Sequence, residues 1–333
     1  MTPKSSKTLK PFLSVLSIGD PFGHLNLTLV PLQGRQAQPV DYMLAADAIG
    51  AGVLVVTEVS EYGRVPELLA VSSAEQMILL LDGEELVGAK QNRILNTTVL
   101  LPAQAQTKIP VSCVEQGRWR HTSQKFGSGS FATSHLRANK SRSVGRNLRQ
   151  SGQATSDQGE VWQDVAQCIA GSGVTSPTGA MHDAMEQRRD LLDAYLSALA
   201  CPAGACGVIA SINGRFAALD MFDKPETLQR VWPRLVRGYA LDAICRSRDT
   251  GGVFTERGAQ GLLEHVGEIE CQPCPSAGVG EDWRLESPGV VGQALVVGET
   301  CVHLCVFPND DPDRRVEGGP SIQAPSSRRR HRQ

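Results

Sequence analysis

From Pro21 to about Val114 the apolar residues come in short bursts, not in helical stripes. "HLNLTLVPL", "GVLVVTEV", "ELLAVSS", "QMILLLDG", "NTTVLLPA" and "TKIPVSCVE" are rich in leucine or β-branched side chains, with Gly, Pro, Asp and Asn between many of them. That is the texture of strands and turns. In "LNLTLV", Leu25, Leu27 and Leu29 alternate with Asn26, Thr28 and Val30, which predicts a half-buried strand with one covered face. The regular spacing of the bursts predicts a sandwich or a partly rolled sheet.

The pattern changes after Trp119. "SQKFGSGSFATSH" reads as a Gly/Ser loop, and "LRANKSRSVGRNLRQSGQATSDQGEVWQDVAQCIA" as two helices around a Ser/Gly break. "AMHDAMEQRRDLLDAYLSAL" carries Ala184, Leu191, Leu192, Tyr195 and Leu199 at helical intervals, predicting one amphipathic helix. A last unit starts near Gly204. Asn213-Gly214 supply a tight turn between two apolar runs, a helix follows from Pro225 with a kink expected at Pro233, and a closing hairpin turns at Gly298-Glu299. The fold class is therefore α+β: a β-rich front (21–119), a helical middle (120–200) and a hairpin-helix-hairpin unit (204–307) packed on it, in one domain over 21–307. Residues 1–20 are expected to be flexible. The Pro/Ser/charge-rich stretch 308–333 lacks apolar periodicity and is expected to be a disordered basic tail.

Composition narrows the function classes. With 41% hydrophobic and 20% charged residues, the chain is ordinary for a globular protein. A net charge of -2 gives no global pull toward nucleic acid or an acidic membrane, so neither is the expected partner and electrostatic function must be local. No apolar run is long enough to span a bilayer, and the N-terminus lacks the apolar region of a signal peptide. Nine cysteines, an odd number, argue for reduced thiols in a cytoplasmic protein. There is no fixed repeat, no glycine-rich phosphate loop and no His-Glu-x-x-His; "GVGEDW" lacks the required glycine spacing.

The chemistry gathers between Leu81 and Trp162. Glu84 and Glu85 precede Lys90, Gln91, Asn92, Arg93 and Asn96, a row of amides and charges that is costly to bury unless paired. Cys113 and Glu115 would share a strand face near Arg118 and Trp119, a thiol with a neighbouring carboxylate and cation. No acidic residue stands between Glu115 and Asp157, while Arg118, Arg120, Lys125, Arg137, Lys140, Arg142, Arg146 and Arg149 do. Guanidinium groups match phosphate oxygens, so this bias suggests an anion site; a solvated basic helix is the plain alternative. In "SDQGEVW", Asp157 reads as a helix N-cap with Glu160 in capping-box position; a role for Gln158, Glu160 and Trp162 facing the basic segment is the sharper alternative. Cys271, Cys274, Cys301, His303 and Cys305 could supply a structural zinc site, with the last three on one strand face; core packing is the favoured reading, and no metal or cofactor is assigned.

The 81–119 stretch, "SDQGEVW" and "GVIASINGRFAALDMFDKPETLQRVWPRLVRGYALDAI" together resemble the ADP-ribosylglycohydrolase and rhodanese-phosphatase-associated protein domain family, over about Phe12 to Phe307. The resemblance implies genomic association with enzymes of ADP-ribose and phosphate-linked substrates and transfers no residue roles. The combined expectation is a domain that binds, or also hydrolyses, a phosphate-bearing small molecule such as a nucleotide or an ADP-ribose or NAD derivative. Glu84, Glu85, Cys113, Glu115 and Glu160 are the catalytic candidates. Lys90, Gln91, Asn92, Arg93, Asn96, Arg118, Trp119, Gln158 and Trp162 are the ligand-binding ones. Whether the chain is an enzyme or a homo-oligomer stays open, and a scaffold module or a zinc-stabilised protein fits the same residues.

Overall fold

Strands dominate because the apolar bursts are too short for helices and punctuated by turn formers. The computed structural model describes residues 7–59, 66–118, 120, 122–246 and 254–309, and among them eight helices and eighteen strands form an α+β fold. Trp119 and residues 310–333 of the expected tail lie outside the described residues.

A large antiparallel sheet runs in the order Ser17–Ile18, Leu27–Gln33, Ala205–Ile212, Arg215–Phe222, Thr300–Asn309, Gly289–Val297, Glu281–Ser287, Gln272–Pro275, with Phe22–His24 paired to the second of these strands. The first hairpin of the last unit closes through Asn213 and Gly214, both with positive φ. A second sheet runs Phe126–Phe131, Glu84–Gly88, Arg93–Leu95, Gln106–Cys113, Glu67–Ser72, Leu54–Glu58, and its two edge strands approach each other, so it curls into a half-barrel. Tyr42–Leu44, Met77–Leu80 and Val99–Leu101 make a short third sheet.

The large sheet separates two cores. Leu27 and Leu29 face one, built with the long helix Pro225–Cys245, while Val30 and Leu32 face the other. The strand is thus covered on both faces, not on one as its alternation suggests, and Leu25 is exposed outside it. The second core is closed by Leu9, Phe12 and Leu13 together with Ala259, Leu263 and Val266 of the helix Glu256–Glu268. Residues 7–20, expected to be flexible, therefore carry a helix turn at Lys10–Leu13 and a strand at Ser17–Ile18 that cover apolar surface.

Three further expectations need correction. "FGSGSF" is not loop but the strand Phe126–Phe131, paired to Glu84–Gly88. The single helix expected over "AMHDAMEQRRDLLDAYLSAL" is divided at Arg188 into Met181–Gln187 and Arg189–Ala198, and this break leaves Leu191 exposed. Cys301, His303 and Cys305 do not share one face. An extra residue opposite Leu295–Val296 puts Cys301 in the second core and Cys305 in the first, while Cys274 packs with Val144 and Leu148. His303 and Cys305 stay within 4.8 Å of each other and of Asp220, but the five zinc candidates are not brought together as a set. All nine cysteines are free thiols.

The basic helix Ser134–Ser151, capped by Thr133, runs along the large sheet. Two of its cations turn inward: Arg137 binds both oxygens of Asp220 (2.6 and 3.0 Å) and also Asp82 (3.2 Å), and Lys140 binds Asp82 and the Asn96 carbonyl. Tyr239 and His303 add hydrogen bonds to Asp220, and Thr98 meets the other imidazole nitrogen of His303 (2.7 Å). Gly83 (φ 75°) must be glycine here, because a Cβ would lie 2.7 Å from the Arg137 side chain. Burial opposes ionisation of Asp82 and Asp220, but Arg137, with Lys140 at Asp82, holds both below the usual carboxylate range.

Two outcomes follow from this network. Arg137→Ala removes the guanidinium from buried Asp220 and leaves Asp82 with Lys140 alone, and is expected to cost about 3–5 kcal/mol in urea unfolding; a loss below 1 kcal/mol would contradict the pairing. Because the folded values of Asp82 and Asp220 are depressed, their contribution is complete above the unfolded value of about 4 and is lost as pH falls below it. Stability measured by denaturant titration should therefore drop steeply below about pH 4, and less steeply in Asp220→Asn.

Candidate functional site

The acid-and-amide row and the cations that follow it do meet, but mostly in closed structural knots. Arg118 binds Glu115 through Nε (2.7 Å) and Nη2 (2.6 Å), Asn92 through Nη2 (3.1 Å), and the Ala89 carbonyl and Thr122 through Nη1 (2.7 and 3.0 Å). Each nitrogen of its guanidinium is engaged, so the expectation that Arg118 holds phosphate does not fit its contacts. Asn92 also accepts from Gly88 N, its own N–H donates to Glu115, and Gln91 donates to the Glu115 carbonyl (2.8 Å). Burial would raise the Glu115 carboxyl, but hydrogen bonds from Arg118, Asn92 and Thr178 bring it below its ordinary value. An ionised carboxylate so paired is a structural anchor and not a poised base.

Cys113 sits in a second knot. Gln158 clamps its backbone from both sides, accepting from the N–H and donating to the C=O at 2.8 Å each. Burial pushes the thiol up despite the nearby Arg93, which makes it a poor nucleophile. Arg93 is fully buried, 3.7 Å from Glu58 and hydrogen-bonded to Gln91, and the buried Trp162 N–H faces the Cys113 thiol. Asn96 donates to the Ala154 carbonyl and accepts from Ser112. Asp157 caps its helix as expected, accepting from Gly159 and Glu160 N–H, and Glu160 itself is half exposed, 3.9 Å from Arg146. Lys90 is buried.

Glu84 and Glu85 differ from these. They open the strand Glu84–Gly88, and their side chains are 2% and 0% exposed. Glu84 accepts from Arg234 of the long helix, and the same Nη1 donates to Ser128 (2.9 Å) and contacts the Gly129 carbonyl (3.4 Å). Among the described residues Nη1 is the only Arg234 nitrogen with hydrogen-bond partners; the side chain is 21% exposed. Glu85 faces His182 of the helix Met181–Gln187, with Oε2 3.4 Å from Nδ1, while its Oε1 is buried and unpartnered. The Phe126–Phe131 strand covers the pair closely. A Cβ at Gly129 would lie 2.7 Å from the Glu85 carboxylate, so only glycine lets the strand pass over it. Residues 127–130 and His182 are half exposed. Four segments remote in sequence thus bring two ion pairs, Glu84–Arg234 and Glu85–His182, against the same strand at Ser128 and Gly129.

The Glu85 carboxylate stabilises protonated His182 and, outweighing burial, raises its pKa above the ordinary value. Such an arrangement orients Nδ1 toward the acid and leaves Nε2 as the nitrogen able to take or give a proton. His182, Arg234 and Ser128 were not legible as site residues. Arg234 stands inside the quoted "VWPRLVRGYALDAI" segment, the only signal pointing to it, and nothing local marks His182. Glu85→Gln should lower the His182 pKa, read from its imidazole proton shifts across a pH titration; an unchanged titration would show that the two do not interact.

Comparison with the curated proteins and with the solved structures returns no match. A family profile does match, over residues 15–307, and its description is "ARG and Rhodanese-Phosphatase-superfamily-associated Protein domain". With most of the sequence spanned, and with the motifs quoted above inside the matched region, the chain belongs to that family.

Proposed function

We propose that the patch formed by Glu84, Glu85, Ser128, His182 and Arg234 binds a phosphate-bearing nucleotide or ADP-ribose-like ligand and hydrolyses it. One observation carries the reading: a half-exposed histidine backed by a fully buried glutamate, and an arginine anchored through one nitrogen only, both pairs meeting the strand at Gly129. Glu84 and Ser128 fix Arg234, so its remaining Nε and Nη2 donors are preorganised for phosphate oxygens. His182 Nε2 takes a proton from water, and the Glu85 carboxylate stabilises the imidazolium that forms. The half-exposed serine and glycine backbone of residues 127–130 admits a ligand close to the carboxylates. The family's association with ADP-ribosylglycohydrolases supports this ligand class, and a cytoplasmic location agrees with it. Among the described residues no helix is long and apolar enough to cross a membrane.

The test is a thermal-shift and hydrolysis panel of ADP-ribose, ATP, NAD and ribose 5-phosphate. Arg234→Ala should weaken ligand stabilisation, and His182→Ala should keep binding but lower turnover by about 10²–10⁴-fold. Because only neutral His182 acts as base, turnover should rise with pH through a value above the ordinary histidine pKa of about 6.5. Equal ligand shifts in wild type and Arg234→Ala, with no phosphate compound distinguished, would remove the proposal.

A further inference from the structure

Away from this patch, a cavity of about 360 Å³ opens between the start of the basic helix and the helices Gln158–Ser172 and Pro225–Cys245. Its lining includes His135, Asp164, Asp242 and Arg246, and also Cys168 and Cys245. The two sulfurs are 3.7 Å apart, on different helices, and the Cys245 thiol also donates to the Cys168 carbonyl at 3.3 Å. The helix backbones are held close at this point: a Cβ on Gly171, one turn after Cys168, would lie 3.0–3.4 Å from the Cys245 carbonyl, Cβ and Cα. Cys168 is buried, whereas Cys245 is partly exposed.

We propose that Cys168 and Cys245 form an oxidisable thiol pair, a covalent modification site reached through this cavity, whose oxidant is a hydroperoxide and whose product is a disulfide joining the two helices. Cys245, the more accessible thiol, is attacked first. Its thiolate takes the distal oxygen of the peroxide, the O–O bond breaks, and the departing oxygen leaves as water or an alcohol after taking up a proton. The Cys168 sulfur then attacks the resulting sulfenic acid. The S–O bond breaks, hydroxide leaves with the Cys168 proton as water, and the S–S bond closes. Two thiols lose two electrons and one hydroperoxide gains them. A disulfide needs the sulfurs at about 2.05 Å, so the pair must close by side-chain rotation from a distance already at van der Waals contact.

Cross-linking has a positional consequence that rests on the function proposed above. The long helix carries Arg234, and the helix holding Cys168 leads into the one with His182. Oxidation therefore fixes two elements that bring the anion-binding and proton-transfer groups to the patch.

The experiment treats the full chain with excess hydrogen peroxide, blocks remaining thiols with iodoacetamide under denaturing conditions, and maps peptides by mass spectrometry. The expected result is loss of two of the nine titratable thiols, a Cys168–Cys245 cross-linked peptide, and reversal by dithiothreitol. In Cys168→Ser, Cys245 should stop at a sulfenic acid that dimedone captures; in Cys245→Ser, Cys168 should stay reduced. Nine intact thiols after peroxide, or a cross-link between other cysteines, would overturn the proposal. This readout does not depend on turnover, so a failed hydrolysis assay leaves it standing, and a missing disulfide leaves the hydrolysis reading standing.

Discussion

The Arg137 guanidinium is the point on which the architecture turns. It is fully buried, it comes from the basic helix, and it joins Asp220 of the large sheet to Asp82, which precedes the first site strand. A buried charge of this kind contributes little net stability compared with apolar packing, but it tolerates few alternative arrangements, because any misplacement strands a carboxylate in low dielectric. Its role is therefore registration. With Asp82 fixed by Arg137 and Lys140, the chain can turn at Gly83 only in one way, and Glu84 and Glu85 emerge at one defined height on the curled sheet. The Glu85–His182 pairing inherits its position from an ion network whose side chains are fully buried.

Much of the strand order was open to reading because it depends on local rules. Asn213-Gly214 and Gly298-Glu299 specify hairpins through backbone conformation alone, and Asp157 announces its helix through a side chain that satisfies free N–H groups. The misreadings arise where tertiary contacts override such rules. "FGSGSF" has loop composition, yet becomes a strand because Glu84–Gly88 offers its free edge and because glycine is the residue that can cover a carboxylate. The strand Leu27–Gln33 alternates like an edge of the fold, yet lies between two cores, since a helix pair from opposite ends of the chain covers its second face.

The site was half legible for the same reason. Glu84 and Glu85 stand out in the sequence as adjacent acids in an apolar run, and the basic stretch after Glu115 as a charge bias. What no linear pattern could show is how those cations are divided. Arg118, Arg137 and Lys140 are consumed by internal carboxylates, whereas Arg234, which looked like one of several arginines on an amphipathic helix, keeps donors free. Charge density along a sequence measures supply; only the fold reveals which partners have already taken it.

The close passage of Gly129 over Glu85 has an implication for how this patch diversifies. At Gly129 the strand presents only amide and carbonyl groups, and its Ser128 hydroxyl is already held by Arg234, so it could tell few ligands of the proposed site apart. On the proposed function, discrimination falls to the helices that border the patch, at His182 and its neighbours and along the exposed edge of the arginine-bearing helix. Relatives that prefer different molecules should diverge there first, while the small residues of the strand stay as they are.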